Sequence, residues 1–378
     1  MKAFVFGTGR MGTAISWAVK ELGLELACAD VDPDAFDRWV RETGLLTADD
    51  VDFYHVKADG DWVGTLTEAS PDVVISSLPY HQTETLARIC IDNGFRYCDL
   101  GGRVDVSQRI NDYAKEKATK PIMTDLGLAP GWVNILAEEG CRQIHGQADK
   151  VEMMVGGLPD YSQSTRNPLR YAVTWSVDGL INEYKDDCLI LEDGEIKTVK
   201  GMDGLIRVEG ENFGQMEAFY TSGGASHSIH SMQSRGVKNC SYRTLRYRGH
   251  RDVVNFLIKD CMLSDEALNN IFVKGCGFAD KDEVFVVAEV KGGDKTWRRE
   301  RVIKAGEDFS AMQKATAFPI TSVAALMAEG VFDGPKDQHR DYYTQYSRSL
   351  AYNDIPFDLF KEKLELKDKM LAPEVLLR

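Results

Sequence analysis

The run Gly7-Thr8-Gly9-Arg10-Met11-Gly12 places three glycines in G-x-G-x-x-G spacing directly after a short apolar stretch, and Asp30-Val31 ends the next one. Gly7 permits a tight turn, Gly9 lets backbone approach a pyrophosphate, and Gly12 lets helix and strand pack closely. The helix start that follows offers free N–H groups and a positive dipole end to phosphate oxygens. A carboxylate at Asp30, with Asp32 beside it, accepts from both hydroxyls of a ribose and repels a 2′-phosphate. This chemistry implies a bound dinucleotide contacting Arg10, Met11, Asp30 and Val31, and NAD rather than NADP. Arg38 is the nearest cation that would reverse the preference.

The elements that must hold these residues follow from patterning. Ala3 to Phe6 reads as a strand and Thr13 to Leu22 as an amphipathic helix. Helices expected over 34–43, 83–93 and 105–118 alternate with strands over 73–76, 97–99 and 121–125. Strict alternation implies an α/β fold, a Rossmann doubly wound parallel sheet spanning residues 1–130. Strand C-terminal ends face the cofactor in such a sheet. Ser77, Leu78 and Pro79 are therefore expected against the dinucleotide, with His81, Asp99 and Asp125 as a polar rim.

The stretch 124–137, punctuated by Gly127, Pro130 and Gly131, reads as a joint, with a helix starting near Trp132. From Lys150 the pattern changes. Period-two stretches at 151–155, 187–191, 195–199, 205–208, 216–220, 284–290 and 297–303 predict a mostly antiparallel sheet. Helices are expected at 175–184, 227–235 and 250–260, and Asp193-Gly194 is a hairpin turn. Residues 131–309 thus form a second, α+β domain. Apolar residues from Ser310 to Gly330 recur at helical spacing, with Pro319 kinking that helix or opening it. Helices from 310–378 are expected to complete the nucleotide domain. The aromatic tail (Tyr342, Tyr343, Tyr346, Tyr352, Phe357, Phe360) is expected to cover the other domain or a neighbouring subunit.

A chain of 378 residues favours two domains. Its net charge of −14 argues against nucleic acid and anionic membranes as partners. There is no apolar run of bilayer length and no leader pattern. The eight cysteines lie scattered without a C-x-x-C, which fits reduced thiols in a cytoplasmic protein rather than disulfides or zinc. His227 and His230 have no well-placed partner, so no metal site is expected.

Several segments taken in order carry a family likeness: the glycine fingerprint, Ser77-Leu-Pro79-Tyr-His81, Tyr97-Cys-Asp99-Leu-Gly-Gly102, Asp125-Leu-Gly127-Leu-Ala-Pro130-Gly131-Trp-Val-Asn134-Ile-Leu, Gly156-Gly-Leu-Pro159, Thr174-Trp175-Ser176-Val-Asp178-Gly-Leu-Ile-Asn-Glu183-Tyr184, Glu217-Ala-Phe and Thr244-Leu-Arg246-Tyr-Arg-Gly249-His250. From residue 1 to about residue 330 the chain resembles the saccharopine dehydrogenase-like superfamily, and its L-lysine 6-dehydrogenase branch in particular. The resemblance implies a Rossmann domain and a sheet-bearing domain that binds substrate and forms a homodimer interface. It also implies nicotinamide-dependent chemistry at carbon–nitrogen bonds of amino acids. In the lysine branch, L-lysine is oxidised to its 6-semialdehyde and ammonia is released. Glutamate-forming saccharopine reductases carry an acid where this chain has Ala129, which weighs against saccharopine as substrate.

Hydride transfer from an amine carbon requires a deprotonated amine, a near-attack geometry and, for a carbonyl product, an activated water. His81 is placed to accept the amine proton or to contact cofactor. Asp99 and Asp125 are placed to orient water or an ammonium, or to cap the turns that follow them. The substrate carboxylate calls for an arginine fork. Arg170, with Tyr171, Thr174 and Trp175, and Arg246, with His250, are the two candidate clusters. Core packing competes for Trp175, and a domain-interface salt bridge competes for Arg246. A reductive amine-condensing enzyme (saccharopine or carboxynorspermidine dehydrogenase) and a non-catalytic NAD-binding protein are the alternative functions. The latter has no need for His81, Asp99 and Arg246 to converge.

Overall fold

The structure, a computed structural model, describes residues 1–57, 59–145, 147–334 and 348–365. The chain divides into two compact units. Among the described residues one comprises Met1–Gly131 with the chain from Thr316 to Glu365, and the other Trp132–Ala315.

In the first unit β1 (Lys2–Phe6), α1 (Arg10–Glu21), β2 (Glu25–Asp30), α2 (Pro33–Thr43), β3 (Val51–His55), α3 (Trp62–Ala69), β4 (Val73–Ser76), α4 (Tyr80–Asp92), β5 (Tyr97–Asp99), α5 (Val104–Lys117) and β6 (Ile122–Met123) alternate. The six strands are parallel in the order β3-β2-β1-β4-β5-β6, the doubly wound Rossmann arrangement. Strands sealed on both faces need apolar side chains at every position, and the Val73–Ser76 run is buried throughout. On one face Phe4 and Phe6 stack at 4.7 Å and share a core with Trp62, Leu66 and Leu86. On the other, Trp17 of α1 meets Phe318 at 5.6 Å.

Helix α1 begins at Arg10, so the glycine turn leads straight into it. Strand β3 was not read in the sequence, because Val51-Asp-Phe-Tyr-His55 is only half-buried at the sheet edge and carries polar residues. The described part of the tail lies in the first unit. Ile122 N–H donates to Arg348 O and Ile122 O accepts from Leu350 N–H, both at 2.8 Å, so residues 348–350 border β6 within the first unit. Tyr342, Tyr343 and Tyr346 lie outside the described residues. Helix α13 (Phe357–Glu365) ends the described chain.

The second unit contains α6 (Trp132–Gln143), β7 (Lys150–Pro159), α7 (Tyr161–Ser164), α8 (Val177–Lys185), β8 (Asp187–Glu192), β9 (Glu195–Lys200), β10 (Ile206–Glu209), β11 (Gln215–Tyr220), α9 (Ser228–Ser234), β12 (Asn239–Tyr247), α10 (His250–Asn255), α11 (Asp265–Asn270), β13 (Asp282–Gly292) and β14 (Lys295–Lys304). Helix α12 (Ala311–Ala328) starts here and continues in the first unit, with Pro319 near its middle rather than in its first turn. Both carboxylate oxygens of Asp282 accept from its first N–H groups, those of Ala311 and Met312, at 2.7 and 2.9 Å.

The sheet runs β10-β11-β12-β7-β13-β14, with β8 on β12 and β9 on β8. Every pairing is antiparallel except β12 with β7. Strand β12 lies between three others yet was not read as a strand. Asn239-Cys-Ser-Tyr-Arg-Thr-Leu-Arg-Tyr247 is polar on paper, and the sheet buries it almost completely. Helix 250–260 is α-helical only to Asn255 and continues as a wider π turn.

Glu138 of α6 is sealed in this unit, and Arg235, after α9, clasps both its oxygens at 2.7 Å. Removing one partner of such a pair strands the other charge. Arg235→Ala should lower unfolding free energy by about 3 kcal/mol, measured by urea denaturation. A change under about 1 kcal/mol would mean that water replaces the guanidinium at little cost.

Candidate active site

In the first unit the glycine turn is shaped by close approach. Gly7 has φ +87°, and a Cβ there would lie 2.8 Å from Ser77 O; a Cβ on Gly12 would lie 1.8 Å from Gly7 O. Gly9 has open space where its Cβ would be, and no side chain caps α1. The turn is therefore a backbone cradle at a helix N-terminus and fits a pyrophosphate. Arg10 and Val31 are exposed and Met11 half-buried around it. Ser77 N–H donates to Phe6 O at 2.8 Å, which ties the β4 exit to β1, and Leu78 and Pro79 lead into α4.

Asp30 is half-buried at the end of β2. Its Oδ2 accepts from Thr8 N–H at 2.5 Å and Thr8 Oγ1 at 3.0 Å, and its Oδ1 from Asp32 N–H at 3.0 Å. The carboxylate thus braces the glycine turn as well as bringing negative charge to the β2 end. Asp32, expected beside a ribose, instead caps α2 through Ala35 N–H at 3.1 Å, with Arg38 4.0 Å away.

Asp99 and Asp125 are brought together. Asp99 Oδ1 accepts from Gly101 N–H at 2.8 Å and from Asp125 N–H at 3.0 Å. Asp125 has φ +62°, accepts from Ser107 Oγ at 2.6 Å and offers its carbonyl to Tyr352 Oη at 2.9 Å. Gly101 is needed here, since at φ +79° its Cβ would sit 2.3 Å from Asp125 Oδ1. Asp99 Oδ2 is buried without a partner, as is Ser76 Oγ. Burial and then the neighbouring Asp125 charge push the Asp99 carboxyl up to about 7. His81 stands apart. Its exposed ring touches Tyr80 and Gln82, and no hydrogen bond links it to either acid.

In the second unit the sheet and α8 enclose a cationic cluster. Arg246 is 2 % exposed, and no carboxylate pairs with it among the described residues. Its Nε–H donates to Tyr184 Oη at 2.7 Å, and its guanidinium lies 5.2 Å from the Tyr171 ring centroid. The carbonyl of Leu169 can only accept, so the 2.6 Å contact fixes the proton on His250 Nδ1. His250 Nε2 then accepts from Tyr184 Oη at 2.9 Å, which completes a chain from Arg246 through Tyr184 to His250. Burial and then the Arg246 charge push His250 down to about 3, so it is neutral. Arg246 lies inside this unit as part of that chain.

Tyr171 Oη and Thr174 Oγ1 are buried without partners. Trp175 is half-buried and packs against the core, close to Gly179. Arg170 is separate from this cluster; it bonds Arg248 O and Tyr161 Oη. Glu183 and Tyr184 were not among the sequence candidates. Burial pushes Glu183 up to about 7 against the opposing pull of Arg246. Helical spacing puts these residues on α8, but only the fold sets them beside Arg246. A guanidinium without a carboxylate, next to two idle hydroxyls, is equipped to take an anionic oxygen.

A 3-2-1-4-5-6 sheet with a glycine cradle, followed by a mixed-sheet unit, defines a dinucleotide-fold protein with an appended second domain. Residues 3–124 match the model described as saccharopine dehydrogenase NADP binding domain, and residues 127–345 that of the saccharopine dehydrogenase C-terminal domain. The chain belongs to the saccharopine dehydrogenase family. A relative from Pyricularia oryzae, named saccharopine dehydrogenase (NADP(+), L-glutamate-forming), is 26% identical over 203 residues, 52% of this chain and 45% of its own. Its namesake from Saccharomyces cerevisiae is 27% identical over 216 residues, 54% and 47% of the two chains. The matched stretch spans about half the length of these relatives. The solved apo saccharopine dehydrogenase (L-Glu forming) of S. cerevisiae superimposes with a TM-score of 0.70 over 97% of both chains at 16% identity, so the fold is the same. Among the described residues no helix is long and apolar enough to cross a membrane, and no group of three or more His, Cys, Asp or Glu is placed to hold a metal ion.

The Asp99 environment has a pH signature. Between about pH 4 and 7 the folded protein keeps a proton on Asp99 that the unfolded chain has released. Stability must therefore fall as pH rises through that window and level off above it. Asp99→Asn should flatten the melting-temperature profile between those limits relative to the parent. Profiles that run parallel would show that Asp99 titrates normally.

Proposed function

We propose that the protein is a nicotinamide-dependent dehydrogenase that oxidises the side-chain amine of an amino acid, L-lysine or a close analogue. The observation that carries this reading is the sealed Arg246 guanidinium beside the idle hydroxyls of Tyr171 and Thr174. This set suits a single carboxylate, with His250 and Tyr184 holding the fork in orientation. The glycine cradle and the β4 exit at Ser77–Pro79 would hold the dinucleotide, which supplies the hydride acceptor. His81 accepts the amine proton. Asp99, with Asp125, positions the strand-end turns and offers a carboxyl that titrates near neutrality, suited to proton exchange with a water. Family membership also supports a small amino-acid substrate, the resemblance supports a homodimer, and the free cysteines support a cytoplasmic site of action.

Saccharopine is the second reading, because the curated relatives carry that name. Ala129 in place of an acid favours the simpler amine. The relatives' names and the nucleotide-domain model favour NADP. The Asp30 carboxylate at the β2 end favours NAD, and NAD is the reading adopted.

Mixing the protein with NAD and L-lysine at alkaline pH should produce NADH absorbance at a rate that saturates with lysine. Silence across basic amino acids, diamines and saccharopine, in both directions and with both cofactors, would sink the proposal; turnover of saccharopine alone would select the second reading. Asp30→Ala should weaken NAD binding about tenfold and narrow the preference over NADP. Unchanged NAD affinity in a fluorescence titration would take Asp30 off the ribose.

A further inference from the structure

A cavity of about 780 Å³ opens in the second unit and is lined by Arg170, Arg207 and Arg248, with Tyr161 on its wall. Neither Arg246 nor its hydroxyl neighbours line it. In a chain with 59 acidic and 45 basic residues, an arginine near a carboxylate is the ordinary case. Here three arginines line one cavity, and none forms an ion pair among the described residues.

Two of them are aimed by neutral groups that leave their charge in place. Arg170 bonds Arg248 O at 3.3 Å and Tyr161 Oη at 3.1 Å, and lies 5.5 Å from the Tyr161 ring centroid. Its backbone has φ +51°, in the left-handed region that side-chain-bearing residues seldom occupy. Arg248 Nη1 donates to Gln215 Oε1 at 2.9 Å. Arg207 on β10 is exposed and engages no acceptor among the described residues.

The two carboxylates of the lining are committed elsewhere. Glu217 is 6 % exposed, and its oxygens accept from Gly249 N–H at 2.9 Å and Arg251 N–H at 2.7 Å. Asp252 pairs with Arg251 at 3.1 Å. Guanidiniums that share a cavity repel one another until a counter-charge arrives, and their planar forks match carboxylate or phosphate oxygens. The volume is that of a metabolite-sized ligand.

We propose that this cavity binds a small polyanion, a di- or tricarboxylate or a phosphate monoester, at a site separate from the Arg246 clamp. Isothermal titration of the full chain with citrate, glutarate and inorganic phosphate, each against chloride at matched ionic strength, tests it. At least one should bind saturably, and both Arg207→Gln and Arg248→Gln should weaken that binding about tenfold. The two side chains are exposed, so equal melting temperatures will confirm folded variants. The carboxylate and phosphate arms identify which chemistry the forks prefer. Absence of saturable binding by all three anions, or affinities unchanged in both variants, would overturn the proposal. Neither result depends on the enzymatic reading.

Discussion

Taking an ionised group out of water costs several kcal/mol unless protein dipoles or a counter-charge replace the solvent. Both units are arranged around that cost. In the second, Arg246 is sealed at the end of a central strand, and a tyrosine, a neutral histidine and two aromatic faces do the work of water. In the first, Asp99 is sealed at the end of β5 and accepts two backbone N–H groups on one oxygen while the other has none. One group keeps its charge because π faces and hydroxyls tolerate it. The other drifts toward its neutral form because burial strips its water and a second carboxylate lies beside it.

These solutions differ in what they leave available. The Arg246 chain consumes His250 and Tyr184 as supports and leaves Tyr171 and Thr174 with idle hydroxyls. The Asp99–Asp125 pair fixes two turns through main-chain bonds and leaves one carboxyl oxygen and Ser76 Oγ uncommitted. Unsatisfied buried polar atoms are rare in native proteins because each forfeits a hydrogen bond. Ser76 and Asp99 carry such atoms at strand ends of the first unit, and Tyr171 and Thr174 carry them beside Arg246 in the second, which separates these candidate sites from a well-packed core. The cavity with three arginines follows the same logic from the other side, since there the charges are solvated but form no ion pair among the described residues.

Much of the nucleotide unit was legible in the sequence. Gly7, Gly9, Gly12 and Asp30 act through main-chain geometry within one βαβ segment, so their spacing carries their meaning. Asp32 shows the limit of that reasoning: an acid before a proline is also a helix cap, and the cap takes it. In the second unit β12 was hidden because its polar residues become buried only through three neighbouring strands. Glu183 and Tyr184 sit in a segment that carries the family likeness, but their place beside Arg246 was hidden for the same reason. Arg170 and Tyr171 are adjacent in the chain, yet one lines the anion cavity and the other the Arg246 cluster, a divergence that local pattern does not record.

The sequence by itself determined the order of elements, the parallel α/β character of the first unit, the glycine turn and the acid that ends β2. These depend on periodicity and on steric rules acting over a few residues. Tertiary structure alone decided which polar groups lose their water. It paired Asp99 with Asp125, placed His81 apart from both, and assembled Arg246 with residues up to 75 positions earlier in the chain, such as Tyr171. The physical reason is that desolvation is set by everything packed around a group, and the partners that compensate it come from distant segments. The opening glycine fingerprint therefore announced a cradle, and the fold determined which acids and arginines can act around it.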